Sequence, residues 1–260
     1  MFSLTKRMDA PRDEHCEDLW GYAKRLRFIH DTAAEAFETR RPSQLRLLDI
    51  GCGNGSQLTL QLALHGFEIT GIDIDERSIR HAQSMSGGLT NVRFQQASPE
   101  DLSAEKPFDV VILSEVLEHT LEPRKLLAAA VGCMTLDGLL IVTVPNGHGE
   151  FEIDSWIFRK LRLQKIVNAL VSEQEDLLPS TDNLESEHVQ FFTRSRLRRL
   201  FDEYGLVTFR EGAGSFLAGP TVGHLLGQSS RFIEWNARIT DRLPLTMASA
   251  WYFALRRRSG

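Results

Sequence analysis

Cysteine is scarce in this 260-residue chain: Cys16, Cys52 and Cys133 stand far apart and are odd in number. That excludes a disulfide framework and a thiolate zinc site, and it suits a reducing compartment. Long apolar runs are missing too. The longest, near Leu126–Met134, falls far short of the ~20 residues a spanning helix needs. The N-terminal MFSLTKRMDAPRDEH has no apolar core of a signal peptide, so a cytoplasmic location and no transmembrane segment are expected. Repeats and low-complexity tracts are absent. Basic clusters are short: Arg194–Arg199 reads as a solvated helix face and Arg256–Arg258 as a solvated tail. With 30 Lys and Arg against 35 Asp and Glu, a formal charge of −5, no extended nucleic-acid partner is expected, since phosphate neutralisation needs grouped cations.

What is present has the balance of a globular protein, 42% hydrophobic and 25% charged, enough to bury the core of one large domain or two small ones. Over 14–40, Leu19, Tyr22, Leu26, Ile29, Ala33 and Phe37 recur at spacings of three and four, the apolar stripe of a capping helix that Pro42 should end. A buried strand, LRLLDI, then runs into GCGNG. An alternation follows: helix 56–65, strand Phe67–Asp73, helix Glu76–Ser84, strand Asn91–Gln96, strand Phe108–Ser114, helix Arg124–Met134, a turn at Asp137-Gly138, and strand Gly138–Val144. Strands alternating with helices imply crossover connections and a parallel sheet covered on both faces. After Pro145 the rhythm stops. An amphipathic stripe with Trp156 and an acidic loop occupy 147–187, an insertion that reads as a lid over an acceptor, with peripheral membrane contact through 153–171 as the alternative. Helix 194–204, strand Leu206–Arg210, a helical stretch 221–240 and a last strand Ala248–Leu255 complete the chain. The tryptophans, Trp235 and Trp251 among them, read as core.

The segment Asp49-Ile50-Gly51-Cys52-Gly53-Asn54-Gly55-Ser56 lies between a predicted strand and a predicted helix. Glycines there let the backbone turn sharply and approach a ligand, and the helix beyond offers unpaired N–H groups to an anion. Asp73, 22 residues after Gly51 at the end of the second strand, can accept the hydroxyls of a ribose. Together they imply an adenosine-containing ligand. The dinucleotide fingerprint requires glycine where Ser56 stands, which argues against NAD.

An acid followed by Gly-x-Gly-x-Gly resembles the first motif of the class I S-adenosylmethionine-dependent methyltransferases. Pro99-Glu100-Asp101-Leu102, Phe108-Asp109-Val110-Val111, Glu115-Val116-Leu117-Glu118-His119 and Pro145-Asn146 extend the resemblance over 45–146, and His188 with Phe191 and Phe192 extends it loosely beyond. The resemblance implies that Asp49 and the backbone of Gly51, Cys52, Gly53, Asn54 and Gly55 hold the methionine end of S-adenosyl-L-methionine. It implies that Asp73 holds the ribose and Ile74 the adenine, with Ser98, Pro99, Glu100 and Ser114 completing the cofactor site. Ser98 stands where the family often has an acid.

The Glu-x-x-Glu-His arrangement is similar to that of the ubiquinone-biosynthesis O-methyltransferases and of the small-RNA 3′-terminal 2′-O-methyltransferases, whose matching residues bind a divalent cation. Glu115, Glu118 and His119 would share one face if a helix starts there. With His188 they form a candidate site for Mg or Mn, while Glu115, His119 and His188 are the candidates for receiving a proton from the acceptor. The expected fold is a Rossmann-like, doubly wound α/β domain over 1–260 with a mostly parallel seven-stranded sheet. The resemblance implies an antiparallel last strand. Its parts are a helical cap (1–44), the cofactor-binding core (45–146), the insertion (147–187) and the completion of the sheet (188–260). The expected activity is O-methylation of a small molecule, a catechol, quinone precursor or sugar. An NAD-type oxidoreductase and a non-catalytic S-adenosylmethionine-binding protein are the alternatives.

Overall fold

The computed structural model describes residues 17–102, 106–147, 189–219 and 229–258, with 222, 226 and 227. Seven strands form one sheet: β1 (Arg46–Ile50), β2 (Glu68–Asp73), β3 (Val92–Gln96), β4 (Phe108–Ser114), β5 (Met134–Pro145), β6 (Leu206–Ala213) and β7 (Ala250–Arg257). Their order is β3-β2-β1-β4-β5-β7-β6. The first five are mutually parallel, and β7 runs antiparallel to both neighbours, β5 and β6. Helices α1 (Tyr22–Ala36), α2 (Thr59–Leu64), α3 (Glu76–Met85), α4 (Pro123–Gly132), α5 (Arg194–Glu203) and α6 (Ser230–Thr240) surround it.

The near-continuous apolar strands are explained by the alternation of side chains across a sheet covered twice. Leu48, Ile50, Val111, Leu113, Leu140 and Val142 pack in one core with Leu127 of α4 and Leu197, Leu200 and Phe201 of α5. Their neighbours Leu47, Val110, Ile112, Leu139 and Ile141 fill the other core, against Leu26, Ile29 and Ala33 of α1 and Leu62 of α2. The chain proceeds from β1 outward to β3 and resumes on the other side at β4. The crevice of such a switch point, at the carboxyl ends of β1 and β4, is where open α/β sheets bind ligands.

Several expectations need correction. The capping helix is shorter than 14–40: Gly21 takes φ 73°, and the Asp18 carboxylate accepts the N–H groups of Tyr22 and Ala23 at 2.9 and 2.7 Å. That fixes the start at Tyr22 by charge-assisted capping of otherwise orphaned donors. The helix ends at Ala36, ahead of Pro42, which instead opens a single 3-10 turn. Asp137-Gly138 is no turn between elements but an irregularity inside β5, where the register against β4 jumps from Phe108↔Met134 to Val110↔Leu139. Arg256 and Arg257 belong to β7 rather than to a solvated tail. Arg256 lies over the Phe209 ring and Arg257 donates to the Val131 carbonyl at 2.7 Å. Trp251 is buried, but Trp235 on α6 is exposed. Of the stretch 221–240, the helix α6 spans Ser230–Thr240, and ahead of it the described Val222 and Leu226 are helical too. Most of the insertion 147–187, the segment 153–171 and His188 lie outside the described residues.

Candidate active site

The carboxyl ends of β1, β2 and β4, roofed on one side by α1, enclose a cavity of about 890 Å³. Its floor is the loop after β1. Gly51 and Cys52 donate their N–H groups to the Ile72 carbonyl at 2.8 and 3.0 Å, which folds the loop over the end of β2. Gly51 is at φ 74°, and a Cβ there would stand 2.7 Å from a methyl of Val116, so only glycine keeps this floor open. Gly55, at φ 70°, is different: it does not line the cavity, and a Cβ would strike the Phe94 ring at 2.5 Å. Packing against Phe94 is what requires glycine at this position. The helix α2 begins only at Thr59 because residues 51–58 are spent on this loop.

Asp49, Gly51, Cys52, Gly53, Asn54, Asp73, Ile74, Ser98, Pro99, Glu100 and Ser114 all line the cavity. Asp49 is buried and accepts from the Thr59 hydroxyl at 2.6 Å. Burial pushes its pKa up to about 7, helped by Asp73 and opposed by the Thr59 hydrogen bond and Arg25. Asp73 accepts the Gly53 N–H at 2.8 Å and the Asp75 N–H at 2.9 Å, joining the glycine loop to the end of β2. A carboxylate has about four acceptor positions, so ligand hydroxyls can share it. Ile74 beside it is 78% exposed, an apolar surface on the cavity wall. Ser98 donates both its N–H and its hydroxyl to one oxygen of Asp101, each at 2.8 Å. Burial raises the Cys52 thiol far above its ordinary value, so its smallness rather than its nucleophilicity suits the loop.

The N-terminal helix was expected as a cap over the carboxyl edge, but none of its side chains was expected in the site. Tyr22 and Arg25 line the cavity, and Arg25, its side chain 11% exposed, donates to the Ser114 hydroxyl at 3.0 Å and lies 3.8 Å from Glu115. Burial works against the Arg25 cation; Glu115 and the Tyr252 and Tyr22 hydroxyls together outweigh it, so its pKa stands above the usual value. A signal existed: Arg25 is three residues after Tyr22 and four before Ile29, a cation bordering an apolar stripe.

At the end of β4, Glu115, Glu118 and His119 do not share a helix face. Glu115 sits in the left-handed region at φ 57°, and Leu117–His119 is a single 3-10 turn. The sharp bend turns the Glu115 carboxylate toward Thr143, whose hydroxyl donates at 2.8 Å. Glu118 is 1% exposed, its two carboxylate oxygens have no hydrogen-bond partner among the described residues, and one lies 3.8 Å from His119 Nε2. Burial, reinforced by Glu115, holds its pKa well above the carboxylate range. The unpartnered Glu118 carboxylate has the donor character of a hard-cation ligand. Among the described residues, however, no three His, Cys, Asp or Glu side chains are gathered as a metal site. The N–H groups of Val189 and Gln190 both bond the Glu118 carbonyl, at 2.9 and 3.0 Å, so the chain returns to this turn immediately after His188.

A methyltransferase domain family matches residues 20–210. The ubiquinone biosynthesis O-methyltransferase of Caulobacter sp. (strain K31) is 39% identical over 131 residues, 47% of this chain and 51% of that protein. That of Chromobacterium violaceum is 39% identical over 95 residues, 35% of this chain and 39% of that protein. The chain thus spans about half the length, or less, of these curated relatives. Among solved structures, magnesium protoporphyrin IX methyltransferase from Synechocystis PCC 6803 with bound SAH superposes with a TM-score of 0.54 at 15% identity, covering 90% of this chain and 83% of that one. A cyclase, SpnF, superposes as well, with a TM-score of 0.53 at 16% identity over 90% and 82% of the two chains. These likenesses show a shared fold, which by itself hosts more than one reaction.

Proposed function

This chain belongs to the methyltransferase domain family, and we propose that it transfers the methyl group of S-adenosylmethionine to a hydroxyl of a small molecule. The observation that carries this reading is one continuous cavity. It runs from Asp73 and Ile74, suited to ribose and adenine, past the glycine loop to Arg25 and Asp49, suited to the carboxylate and ammonium of an amino-acid end. The Glu115–His119 turn closes it on the acceptor side.

The sulfonium methyl is already activated, so alignment is the main task, and such positioning supplies about 7–11 kcal/mol. The acceptor oxygen forms a bond to the methyl carbon as the sulfur–carbon bond breaks with its electron pair going to sulfur, leaving S-adenosylhomocysteine. The acceptor proton passes to His119 or Glu115. A positioned base of this kind contributes about 10²–10⁴-fold. Glu118 with His119 would hold a divalent cation if one takes part, with Glu115 or His188 completing the set; such an ion would acidify the acceptor hydroxyl. The names of the matching relatives favour a catechol or quinone precursor over a sugar.

Thermal unfolding with added ligand tests the cofactor. S-adenosylhomocysteine should raise the Tm and NADH should not; no shift with S-adenosylhomocysteine sinks the reading. Labelled methyl transfer to 3,4-dihydroxybenzoate, with and without EDTA, then tests acceptor and cation separately. Activity untouched by EDTA and by added Mg²⁺ removes the cation from the scheme.

A further inference from the structure

The geometry points to Thr143 as a positioning residue that sets Arg25 and Glu115 in place across the cavity through a one-way chain of hydrogen bonds. Thr143 lies in β5, is fully buried and is absent from the cavity wall, whereas Arg25, Ser114 and Glu115 all line it. The chain has one possible direction. Arg25 can only donate, and the Ser114 hydroxyl accepts from it at 3.0 Å. The Thr143 hydroxyl spends its single proton on the Glu115 carboxylate at 2.8 Å, so across the 3.1 Å contact between the two hydroxyls Ser114 donates and Thr143 accepts.

The order Arg25, Ser114, Thr143, Glu115 therefore links α1, the end of β4 and the interior of β5. The β4–β5 register, which pairs Ser114 with Thr143, keeps the two hydroxyls side by side. Thr143 also accepts the Glu115 N–H on its carbonyl at 2.9 Å, so one residue restrains both backbone and side chain of Glu115. Restraint matters there, because Glu115 is a non-glycine residue at φ 57°. Arg25 keeps a buried Nε–H without a partner among the described residues and stands 3.8 Å from Glu115, too far for a close ion pair. The chain keeps the two charges apart: Ser114 occupies one guanidinium nitrogen while Thr143 satisfies the carboxylate. Without the Thr143 hydroxyl, Glu115 lacks its donor and Arg25 becomes the nearest replacement, which withdraws the guanidinium from a ligand carboxylate.

This rests on the reading that the cavity holds S-adenosylmethionine with its carboxylate toward Arg25. Calorimetric titration of the full chain with S-adenosylhomocysteine and with 5′-methylthioadenosine, which lacks the amino-acid end, separates the two ideas. Thr143→Val should weaken S-adenosylhomocysteine about tenfold, the scale of one hydrogen bond to a charged group. It should leave 5′-methylthioadenosine unchanged, and Thr143→Ser should restore the wild-type affinity. Thr143→Ala removes the same hydroxyl without a branched replacement and should show the same selectivity, which serves if the valine variant does not fold. An unchanged S-adenosylhomocysteine affinity, or equal weakening of both ligands, overturns the role of Thr143 while leaving the cofactor reading intact. Failure of the wild-type protein to bind S-adenosylhomocysteine overturns the cofactor reading and this inference with it.

Discussion

At the ends of β1 and β2 the buried acid, Asp49, receives the Thr59 hydroxyl and its partner Asp73 receives two backbone N–H groups. At the end of β4 a second pair repeats the plan with a different outcome: Glu115 receives the Thr143 hydroxyl, but the more deeply buried Glu118 receives nothing among the described residues. Both pairs face the same cavity. A buried carboxyl without a donor costs about 1–3 kcal/mol or more. The first pair is thus finished by the protein itself. The second carries a cost that a bound group can offset, which fits the proposed reading of an acceptor beside Glu118.

The largest expected effect separates the pairs by ligand. Asp73→Ala should weaken S-adenosylhomocysteine at least about 100-fold, because ligand hydrogen bonds to a charged group are worth roughly 1.5–3 kcal/mol each. The loop also loses the anchor that Asp73 gives Gly53. On the proposed reading, in which Glu118 faces the acceptor, Glu118→Ala should leave that affinity within about threefold. Equal losses in a calorimetric titration would erase the division of labour between the pairs.

The next test concerns stability without ligand. Glu118→Leu removes a desolvated, unpartnered acid and should stabilise the fold by about 1–3 kcal/mol in urea unfolding at neutral pH. Asp49→Val, of similar volume, orphans the buried Thr59 hydroxyl and should not gain in the same way, ending about 1–2 kcal/mol below the glutamate variant. Should Glu118→Leu destabilise the protein, the carboxylate has a partner that the described residues do not include.

The same contrast governs what could be read in the sequence. The finished pair sits in one stretch, Asp49 to Asp73, where a glycine pattern and a fixed spacing report on geometry directly, and nearly every residue expected there lines the cavity. The exception, Gly55, is instructive: positive φ explains the glycine, but the side chain it makes room for, Phe94, comes from β3. The sheet was legible for the same local reason, since strands buried on both faces are apolar at successive positions. The wall around Arg25, Glu115 and Glu118 is assembled from α1, the β4 end, β5 and the chain at 189–190. Reading Glu115, Glu118 and His119 as one helix face failed because Glu115 adopts a left-handed backbone, which residue type alone does not announce. Thr143 entered through register and tertiary packing, of which spacing along the chain holds no record, and the mark Arg25 leaves there is a cation bordering the apolar stripe of α1.

Acidity supplies the smallest and most selective test, and it acts on the finished pair. Asp49 holds its proton up to about pH 7 in the folded, ligand-free protein, against an ordinary carboxylate value of 3.8. Between those values the folded state binds more protons than the unfolded one, so the stability contributed by this group is full below the lower value and falls as pH rises toward the upper. A ligand ammonium favours the ionised form, so S-adenosylhomocysteine affinity should move the opposite way: weaker by up to about tenfold per pH unit below the Asp49 pKa and level above it. Asp49→Asn should flatten the affinity profile, and Thr59→Val should move its midpoint upward, because the hydrogen bond that favours the anion is gone. An affinity that is flat from about pH 5 to 8 in the wild-type protein would place the ligand ammonium away from Asp49. Buried acids finished by a hydroxyl would then serve the glycine loop alone, and the difference between the two pairs would lie in folding rather than in what each pair binds.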